Sequence, residues 1–166
     1  MSGPVVLVGA PGSGKSTVGR RLAVRLGREF VDVDSLIEDK AGKPIAEIFV
    51  DEGEAVFRAD EQATTLELLD RTDLVLSLGG GAVLSETTRR ALAGHRVVWL
   101  RVSAGRAADR VGLSTARPLL LGNVRGRLIQ LLNQRTPLYA EVASLSVDTD
   151  ALTADQVVDA IVEELP

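Results

Sequence analysis

The sequence lacks cysteine and contains little lysine. Without cysteine, disulfide bonds and thiolate metal sites are both excluded. Only Lys15, Lys40 and Lys43 are lysines among the 19 basic residues, so most positive charge is carried by arginine. Arginine binds carboxylates and phosphates in bidentate fashion, although the same bias could reflect codon composition alone. The net charge of -4 leaves no basic excess for a long polyanion, so we expect no nucleic-acid partner.

The sequence also lacks a long apolar run. Residues 1–14 contain no basic segment, and their apolar stretch is too short for a signal peptide or a membrane-spanning helix. We therefore predict a cytoplasmic protein without membrane contact. A chain of 166 residues with 45% hydrophobic content is expected to form a single domain, residues 1–166, around one core.

Short apolar runs alternate with helical patterns along the chain, which predicts an α/β fold of parallel strands joined by helices. The predicted strands are nearly all apolar, as central parallel strands are, and cover residues 5–8, 30–33, 74–78, 97–102 and 145–147. Helices are predicted at residues 15–26, from residue 34 or 35 to about 42, and from residue 153 onward. Capping boxes mark the last two starts, with the pairs Ser35 and Glu38, and Thr153 and Gln156.

Two stretches do not fit this alternation. Residues 34–69 contain two or three helical segments without a strand, so part of them is expected to stand off the sheet. Residues 112–126 are rich in glycine and show no period, which predicts a mobile loop.

Residues 9–16 read GAPGSGKS and match the phosphate-binding pattern G-x-x-x-x-G-K-[ST]. The predicted strand before them and the amphipathic helix after them are the context that this pattern requires. Glycines let backbone N–H groups turn toward phosphates, and the helix N-terminus adds the positive end of its dipole. We expect Lys15 to reach the β- and γ-phosphates of a nucleoside triphosphate, and the Ser16 hydroxyl to bind Mg²⁺.

Acidic and glycine residues follow two of the predicted strands. Alternation places Asp32 and Asp34 on one side of the second strand, at the end that faces the ligand crevice of a parallel sheet. One carboxylate could hold magnesium through water and the other could meet a substrate hydroxyl; alternatively, Asp34 only caps the next helix. Glycines at 79–81 follow the third strand and would let backbone approach a ligand, with Ser77 near the water shell of the metal.

Three arginines stand in distinctive contexts. Arg58 is followed three residues later by Glu61, which is the spacing of an ion pair on a helix. Arg117 precedes a proline in the glycine-rich stretch, and Arg135 precedes a Thr-Pro-Leu-Tyr sequence. Each alone is most simply a solvated surface charge. Together they suit an acceptor with a carboxylate and a phosphoryl group in transfer.

The ordered set of these motifs resembles shikimate kinase, and actinobacterial members most of all. The matching segments span nearly the whole chain: GAPGSGKST, VDVD at 31–34, FR at 57–58, SLGGGA at 77–82, RPLL at 117–120 and RTPLY at 135–139. The resemblance implies a P-loop kinase fold, a three-layer sandwich around a five-stranded parallel sheet of order 2-3-1-4-5. It also implies a shikimate-binding insert at residues 34–61 and a lid at 112–126.

The resemblance further implies an activity, which is transfer of the ATP γ-phosphoryl group to the 3-hydroxyl of shikimate in aromatic amino-acid (chorismate) biosynthesis. Its implied catalytic residues are Lys15, Asp34 and Arg117. The implied ATP contacts are Gly12, Ser13, Gly14, Lys15, Ser16, Thr17, Arg110 against adenine, and Arg117 from the lid. Magnesium would be held by Ser16 and, through water, by Asp32. The implied shikimate contacts are Asp34, Gly79, Gly80 and Gly81, with Arg58 and Arg135 on the carboxylate.

One segment departs from the family pattern. After residue 149, relatives carry basic residues in the adenine loop, whereas this chain reads Asp-Ala-Leu-Thr. Backbone contact with the base is therefore expected there in place of a side-chain contact.

Other functions remain open at this point. Another small-metabolite kinase of the same fold, such as a gluconate kinase, is the first alternative. A GTPase is disfavoured because the chain contains no Asn-Lys pair of the kind that reads guanine. A regulatory nucleotide-binding module without transferase activity is a further alternative. For the kinase, a monomer is expected.

Overall fold

The computed structural model describes residues 3–107, 109 and 121–165, and for residues 121–125 and 128 it describes the backbone alone. Its strands form one five-stranded sheet in the order β2-β3-β1-β4-β5, and every neighbouring pair is parallel. The strands are β1 Val5–Val8, β2 Glu29–Asp32, β3 Leu74–Ser77, β4 Arg96–Arg101 and β5 Leu145–Asp148. Both the α/β class and the predicted strand order are confirmed.

Helices cover both faces of this sheet. They are α1 Lys15–Leu26, α2 Val33–Ala41, α3 Ile45–Glu52, α4 Glu54–Leu68, α5 Glu86–Leu92, α6 Leu121–Val142 and α7 Ala154–Glu164, with a 3-10 turn at Ala82–Leu84. The three helices α2 to α4 lie between β2 and β3 without a strand, as predicted. No helix within the described ranges is long and apolar enough to cross a bilayer.

Alternation along the strands creates two apolar clusters, one on each face of the sheet. Val6 and Val8 of β1 pack in the cluster with α2, α3 and α4, which also contains Tyr139 of α6. Val5 and Leu7 face the other side, where they pack with Leu22 of α1 and with α7. The molecule is therefore a three-layer sandwich whose central layer is buried on both faces.

The passage from β2 into α2 differs from the prediction. The strand ends at Asp32 and the helix begins at Val33, so Asp34 lies in the first helical turn and not on the strand. Asp32 is the N-cap, since its Oδ1 accepts from the N–H groups of Asp34 at 3.0 Å and Ser35 at 3.4 Å. The predicted Ser35–Glu38 capping box is wrong, because the Glu38 carboxylate accepts from the Ile45 N–H at 2.9 Å instead. Capping by Asp34 is likewise excluded.

Other predicted boundaries are confirmed or corrected by single elements. The capping box of Thr153 and Gln156 opens α7, and Gly27 ends α1 with a φ of 65°. Residues 121–126 of the predicted loop are the first residues of α6, so the loop prediction is wrong there. The rest of that predicted lid, residues 112–120, lies outside the described residues.

Burial of one face of α1 holds the phosphate-loop helix on the sheet, and this can be tested with two positions on that helix. Leu22 is 0% exposed and Val24 is 83% exposed. We expect Leu22→Ala to lower the free energy of unfolding by about 2–5 kcal/mol, because it removes buried methyl groups and leaves a cavity. Val24→Ala should change it by less than about 0.5 kcal/mol. Urea unfolding measures both, and equal losses would contradict this orientation of α1.

Candidate active site

The phosphate loop joins β1 to α1 at the carboxyl edge of the sheet. Gly12 and Gly14 have φ values of 82° and 90°, in the left-handed region that glycine favours. No side chain caps the start of α1, where Gly14 is the N-cap. The first N–H groups of that helix are therefore available to an anion, and the positive end of its dipole points the same way.

The Lys15 side chain folds back over this loop. Its Nζ donates to the carbonyl oxygens of Gly9 at 2.7 Å and Ala10 at 3.2 Å. Burial lowers the pKa of Lys15 to about 8, although the nearby Asp34 and Asp32 carboxylates favour the charged form. A bound polyphosphate would add negative charge next to the ammonium and raise that pKa again. The position of the Lys15 ammonium over the loop therefore suits an interaction with a bound phosphate.

Ser16 and Asp32 place two oxygen donors beside the loop. Ser16 Oγ donates to Asp32 Oδ2 at 3.1 Å, while Asp32 Oδ1 caps α2. Hydroxyl and carboxylate oxygens are the ligands that Mg²⁺ prefers, and this ion usually takes few protein groups beside substrate phosphates and water. In the part of the chain that the structure describes, no group of three or more His, Cys, Asp or Glu side chains could hold a metal. The residues present therefore fit a magnesium ion that is shared with a polyphosphate.

The Asp34 carboxylate lies directly against Gly79. A Cβ at Gly79 would lie 2.6 Å from Asp34 Oδ1, so any other residue there would displace the carboxylate. Asp34 Oδ1 is buried and has no hydrogen-bond partner. Burial, then the charges of Glu61 and Asp32, raise the pKa of Asp34 to about 6, against the opposing effect of Lys15 and Arg58. A buried acceptor oxygen without a partner is disposed to receive a donor from a ligand.

Arg58 forms ion pairs with two glutamates, and its guanidinium occupies the space beside Gly81. Its Nη1 donates to Glu61 Oε1 at 2.8 Å, as the spacing predicted, and its Nε lies 3.5 Å from Glu54 Oε2. A Cβ at Gly81 would lie 2.5 Å from both Nη atoms, so only glycine leaves room for this guanidinium. Glu61 is buried with Oε2 unpaired, and burial raises its pKa while Arg58 lowers it.

Arg135 and Tyr139 of α6 both reach the middle glycine. A Cβ at Gly80 would lie 3.3 Å from Arg135 Nη1, and Arg135 Nε is buried without a hydrogen-bond partner. Tyr139 OH donates to the Gly80 carbonyl at 2.6 Å. Sequence reasoning gave Tyr139 no role of its own. The available signal was its position four residues after Arg135, which places both side chains on one helix face.

A cleft of about 610 Å³ is lined by the phosphate loop, by both aspartates and by the first two glycines of the turn. Among the predicted site residues, the cleft is lined by Gly12, Gly14, Lys15, Ser16, Thr17, Asp32, Asp34, Gly79 and Gly80. Ser13 lines a neighbouring cavity of about 240 Å³ together with Thr149 and Leu152. Arg58 and Gly81 line a third cavity, of about 380 Å³. Arg110 and Arg117 lie outside the described residues.

The chain matches the family model described as shikimate kinase over residues 11–166. A shikimate kinase of Thermobifida fusca is 53% identical over 161 residues, which are 97% of this chain and 94% of the relative. One of Salinispora tropica is 56% identical over 161 residues, covering 97% of this chain and 96% of the relative.

Solved structures agree with the sequence comparisons. A shikimate kinase from Acinetobacter baumannii in complex with shikimate has a TM-score of 0.90 and 40% identity, covering 97% of this chain and 91% of that chain. A gluconokinase from Sinorhizobium meliloti has a TM-score of 0.60 and 23% identity, covering 95% of this chain and 88% of that chain. The gluconokinase likeness is one of fold alone.

The two neighbouring aspartates should have opposite effects on stability. The pKa of Asp34 is raised from 3.8 to about 6, so its contribution to stability is fully present below pH 3.8 and is lost as the pH rises through 6. We expect Asp34→Asn to raise the Tm at about pH 8, and this gain should shrink toward about pH 4. Asp32→Ala removes the cap of α2 and should lower the free energy of unfolding by about 1 kcal/mol. Thermal melts at both pH values measure these effects, and a lower Tm for Asp34→Asn at the higher pH would contradict the assignment.

Proposed function

Because the chain belongs to the shikimate kinase family, we propose that its strand-end cleft transfers the γ-phosphoryl group of ATP to the 3-hydroxyl of shikimate. The chain is an ATP-dependent phosphotransferase with an alcohol acceptor, of the family that acts in the shikimate pathway. One observation carries the assignment to this cleft. The unpaired carboxylate oxygen of Asp34 lies between the phosphate loop and Gly79, so a hydroxyl acceptor and a triphosphate donor can meet there.

The donor half is the phosphate loop with the start of α1. Backbone N–H groups of residues 12–17 would surround the phosphates, and Lys15 would move from the carbonyls of Gly9 and Ala10 to the β- and γ-phosphates. The oxygens of Ser16 and, through water, of Asp32 would hold Mg²⁺. When bound, this ion neutralises charge on the phosphates.

The base of ATP is assigned to the cavity beside the loop. This cavity is lined by Ser13 and Thr17 on one side and by Thr149 and Leu152 on the other. Leu152 is 37% exposed, so it would add apolar surface to the backbone contact with the base that the sequence predicts for this loop. Stacking by Arg110 remains a prediction, since that residue lies outside the described part of the chain.

The acceptor half is the glycine turn together with the insert and α6. Arg58 and Arg135 would grip the shikimate carboxylate, because two planar guanidinium forks match carboxylate oxygens. Gly79, Gly80 and Gly81 would give backbone contacts. The Acinetobacter baumannii relative, whose structure was solved in complex with shikimate, supports this choice of acceptor.

Asp34 would orient the acceptor hydroxyl. At pH values above its pKa of about 6 the carboxylate is ionised and can accept a hydrogen bond from the 3-hydroxyl. Phosphoryl transfer passes through a loose transition state, so positioning and charge stabilisation matter more than early removal of the hydroxyl proton. Arg117, which lies outside the described residues, would bring a further positive charge from the lid at residues 112–126. Monomeric state and cytoplasmic location also remain predictions.

The activity can be tested by ADP release from ATP. We expect shikimate to stimulate release with a kcat on the order of 1–100 s⁻¹, as in other kinases, and gluconate to give no stimulation. Lys15→Ala should abolish the shikimate-dependent rate because it removes charge stabilisation at the transferred group. Phosphorus NMR of the product identifies the phosphorylated hydroxyl. Equal ADP release with and without shikimate would indicate a nucleotide-binding module instead, and stimulation by gluconate would indicate the other kinase class.

The proposed binding of the shikimate carboxylate can be tested by replacing each arginine guanidinium with the ammonium of lysine. Arg58→Lys and Arg135→Lys should each raise the KM for shikimate by about 10- to 100-fold, since lysine cannot make the bidentate contact. The KM for ATP should stay within about twofold. The matched control is Arg25→Lys, because Arg25 also forms an ion pair, with Asp159 at 2.7 Å, but on an exposed helix surface. Equal rises in both KM values would contradict an acceptor role for these arginines.

A further inference from the structure

The glycine turn at 79–81 presents its backbone in an unusual way. Each of its carbonyl groups has a hydrogen-bond partner: Gly79 O accepts from Ala82 N and Gly81 O from Leu84 N, both at 3.1 Å, and Gly80 O accepts from Tyr139 OH at 2.6 Å. The N–H groups of the same three residues make no hydrogen bond to another residue in the described ranges. The three N–H groups of the turn are therefore available to donate a hydrogen bond to a ligand or solvent acceptor.

Two of these partners are local, whereas the third comes from a distant helix. Ala82 and Leu84 stand three residues after their acceptors and close the ordinary bonds of a turn. Tyr139 is 59 residues away from Gly80 along the chain. The orientation of the middle carbonyl thus depends on one side-chain hydroxyl and not on the turn itself.

The peptide bond transmits this orientation to the next N–H group. In a trans peptide the C=O and the following N–H point in opposite directions, and the structure contains no cis bond in its described residues. The Tyr139 hydroxyl holds Gly80 O toward α6, so the Gly81 N–H points away from α6. The guanidinium of Arg58 lies where a Cβ of Gly81 would be. Gly80 itself is bounded by Pro11 of the phosphate loop and by Arg135.

Tyr139 is built as a fixed donor. The side chain is 1% exposed, and its ring lies 6.0 Å from that of Trp99, centroid to centroid. Burial raises the pKa of Tyr139 to about 12, against the opposing effect of the charge and hydrogen bond of Arg135, so the hydroxyl keeps its proton throughout the working range of an enzyme. Arg135 stands four residues earlier on the same helix face. One helix therefore carries both a carboxylate fork and the hydroxyl that holds the turn opposite it.

We propose that Tyr139 is a positioning residue for the acceptor site, which acts by holding the Gly80–Gly81 peptide so that its N–H donor faces the bound acceptor. The proposal rests on the proposed function, since it assumes that the acceptor binds at the glycine turn. Tyr139 touches neither the substrate nor the reacting atoms. Its contribution is to fix in advance a backbone donor that the acceptor would otherwise have to order on binding.

Tyr139→Phe removes the hydroxyl and keeps the ring against Trp99. We expect kcat/KM for shikimate to fall about tenfold, mostly through KM, because one orienting hydrogen bond is lost. The KM for ATP should stay within about twofold. The ratio of variant to wild-type kcat/KM should be constant from about pH 6 to 9, because the hydroxyl does not titrate there. A fall confined to kcat, or an equal rise in both KM values, would overturn the proposal.

A matched control separates positioning from stability. Ser144 Oγ donates to the Val97 carbonyl at 3.1 Å and accepts from the Val97 N–H at 3.0 Å, at the opposite end of β4 from the cleft. Ser144→Ala therefore also deletes a hydroxyl-to-carbonyl bond, together with one bond to an N–H group. Both variants should lower the Tm slightly, but only Tyr139→Phe should raise the KM for shikimate. If the two variants share the same Tm loss and both keep the wild-type KM, Tyr139 is merely structural. If the wild type shows no shikimate-dependent turnover, the proposed function fails first.

A second measurement needs no variant. Tyr139 is the only tyrosine in the chain, so growth on 3-fluorotyrosine labels this position alone. Saturating shikimate should shift the single fluorine resonance, whereas ATP without magnesium should leave it within the linewidth. A resonance that shikimate does not move would contradict the coupling of Tyr139 to the acceptor site, whether or not Tyr139→Phe folds.

Discussion

The site depends on the carboxylate of Asp32, which accepts hydrogen bonds from both the phosphate-loop helix α1 and the helix α2 that carries Asp34. One oxygen caps α2 and thereby stops β2 at the edge of the sheet. The other accepts from Ser16, at the start of the phosphate-loop helix. Because α2 begins at Val33, directly after this cap, Asp34 lies in the first helical turn and lines the cleft. A single side chain thus links the start of the phosphate-loop helix to the first turn of α2, which carries Asp34.

Around this link the protein buries polar atoms that its own groups leave without a hydrogen bond. Asp34, Glu61 and Arg135 each keep a buried polar atom without a hydrogen-bond partner, and such atoms are costly to desolvate. Opposite charges offset part of that cost at Asp34, where Lys15 and Arg58 lower the pKa, whereas Glu61 adds to the cost by raising that pKa. These unsatisfied groups lower the stability of the folded protein, and a ligand with charged and hydroxyl groups can bond to them. Such a conflict between function and stability is common in active sites.

The parts that could be predicted from the sequence are those whose residues are contiguous or periodic. The phosphate loop is one unbroken segment, so Lys15 and Ser16 could be assigned from spacing alone. The capping of α2 could not, because Ser35 and Asp34 were the predicted caps and the apparent alternation of residues 31–34 favoured a longer strand, whereas the cap is Asp32. Asp34 and Arg58 were predicted as site residues from their local contexts, and their roles from the family resemblance, but their close fit against Gly79 and Gly81 joins segments far apart in the chain. A role for Tyr139 was not predicted for the same reason, since Gly80, which accepts its hydrogen bond, is 59 residues away in the chain.

The three consecutive glycines also limit how this site can change over generations. The space that a first side-chain carbon would need is filled at Gly79 by the Asp34 carboxylate and at Gly81 by the Arg58 guanidinium, and at Gly80 it is crowded by Pro11 and Arg135. Any substitution at Gly79 or Gly81 therefore displaces a group that the acceptor is proposed to need. An inhibitor that makes its main contacts with this turn would leave the organism few routes to resistance, because the mutations that block the drug would also block the substrate.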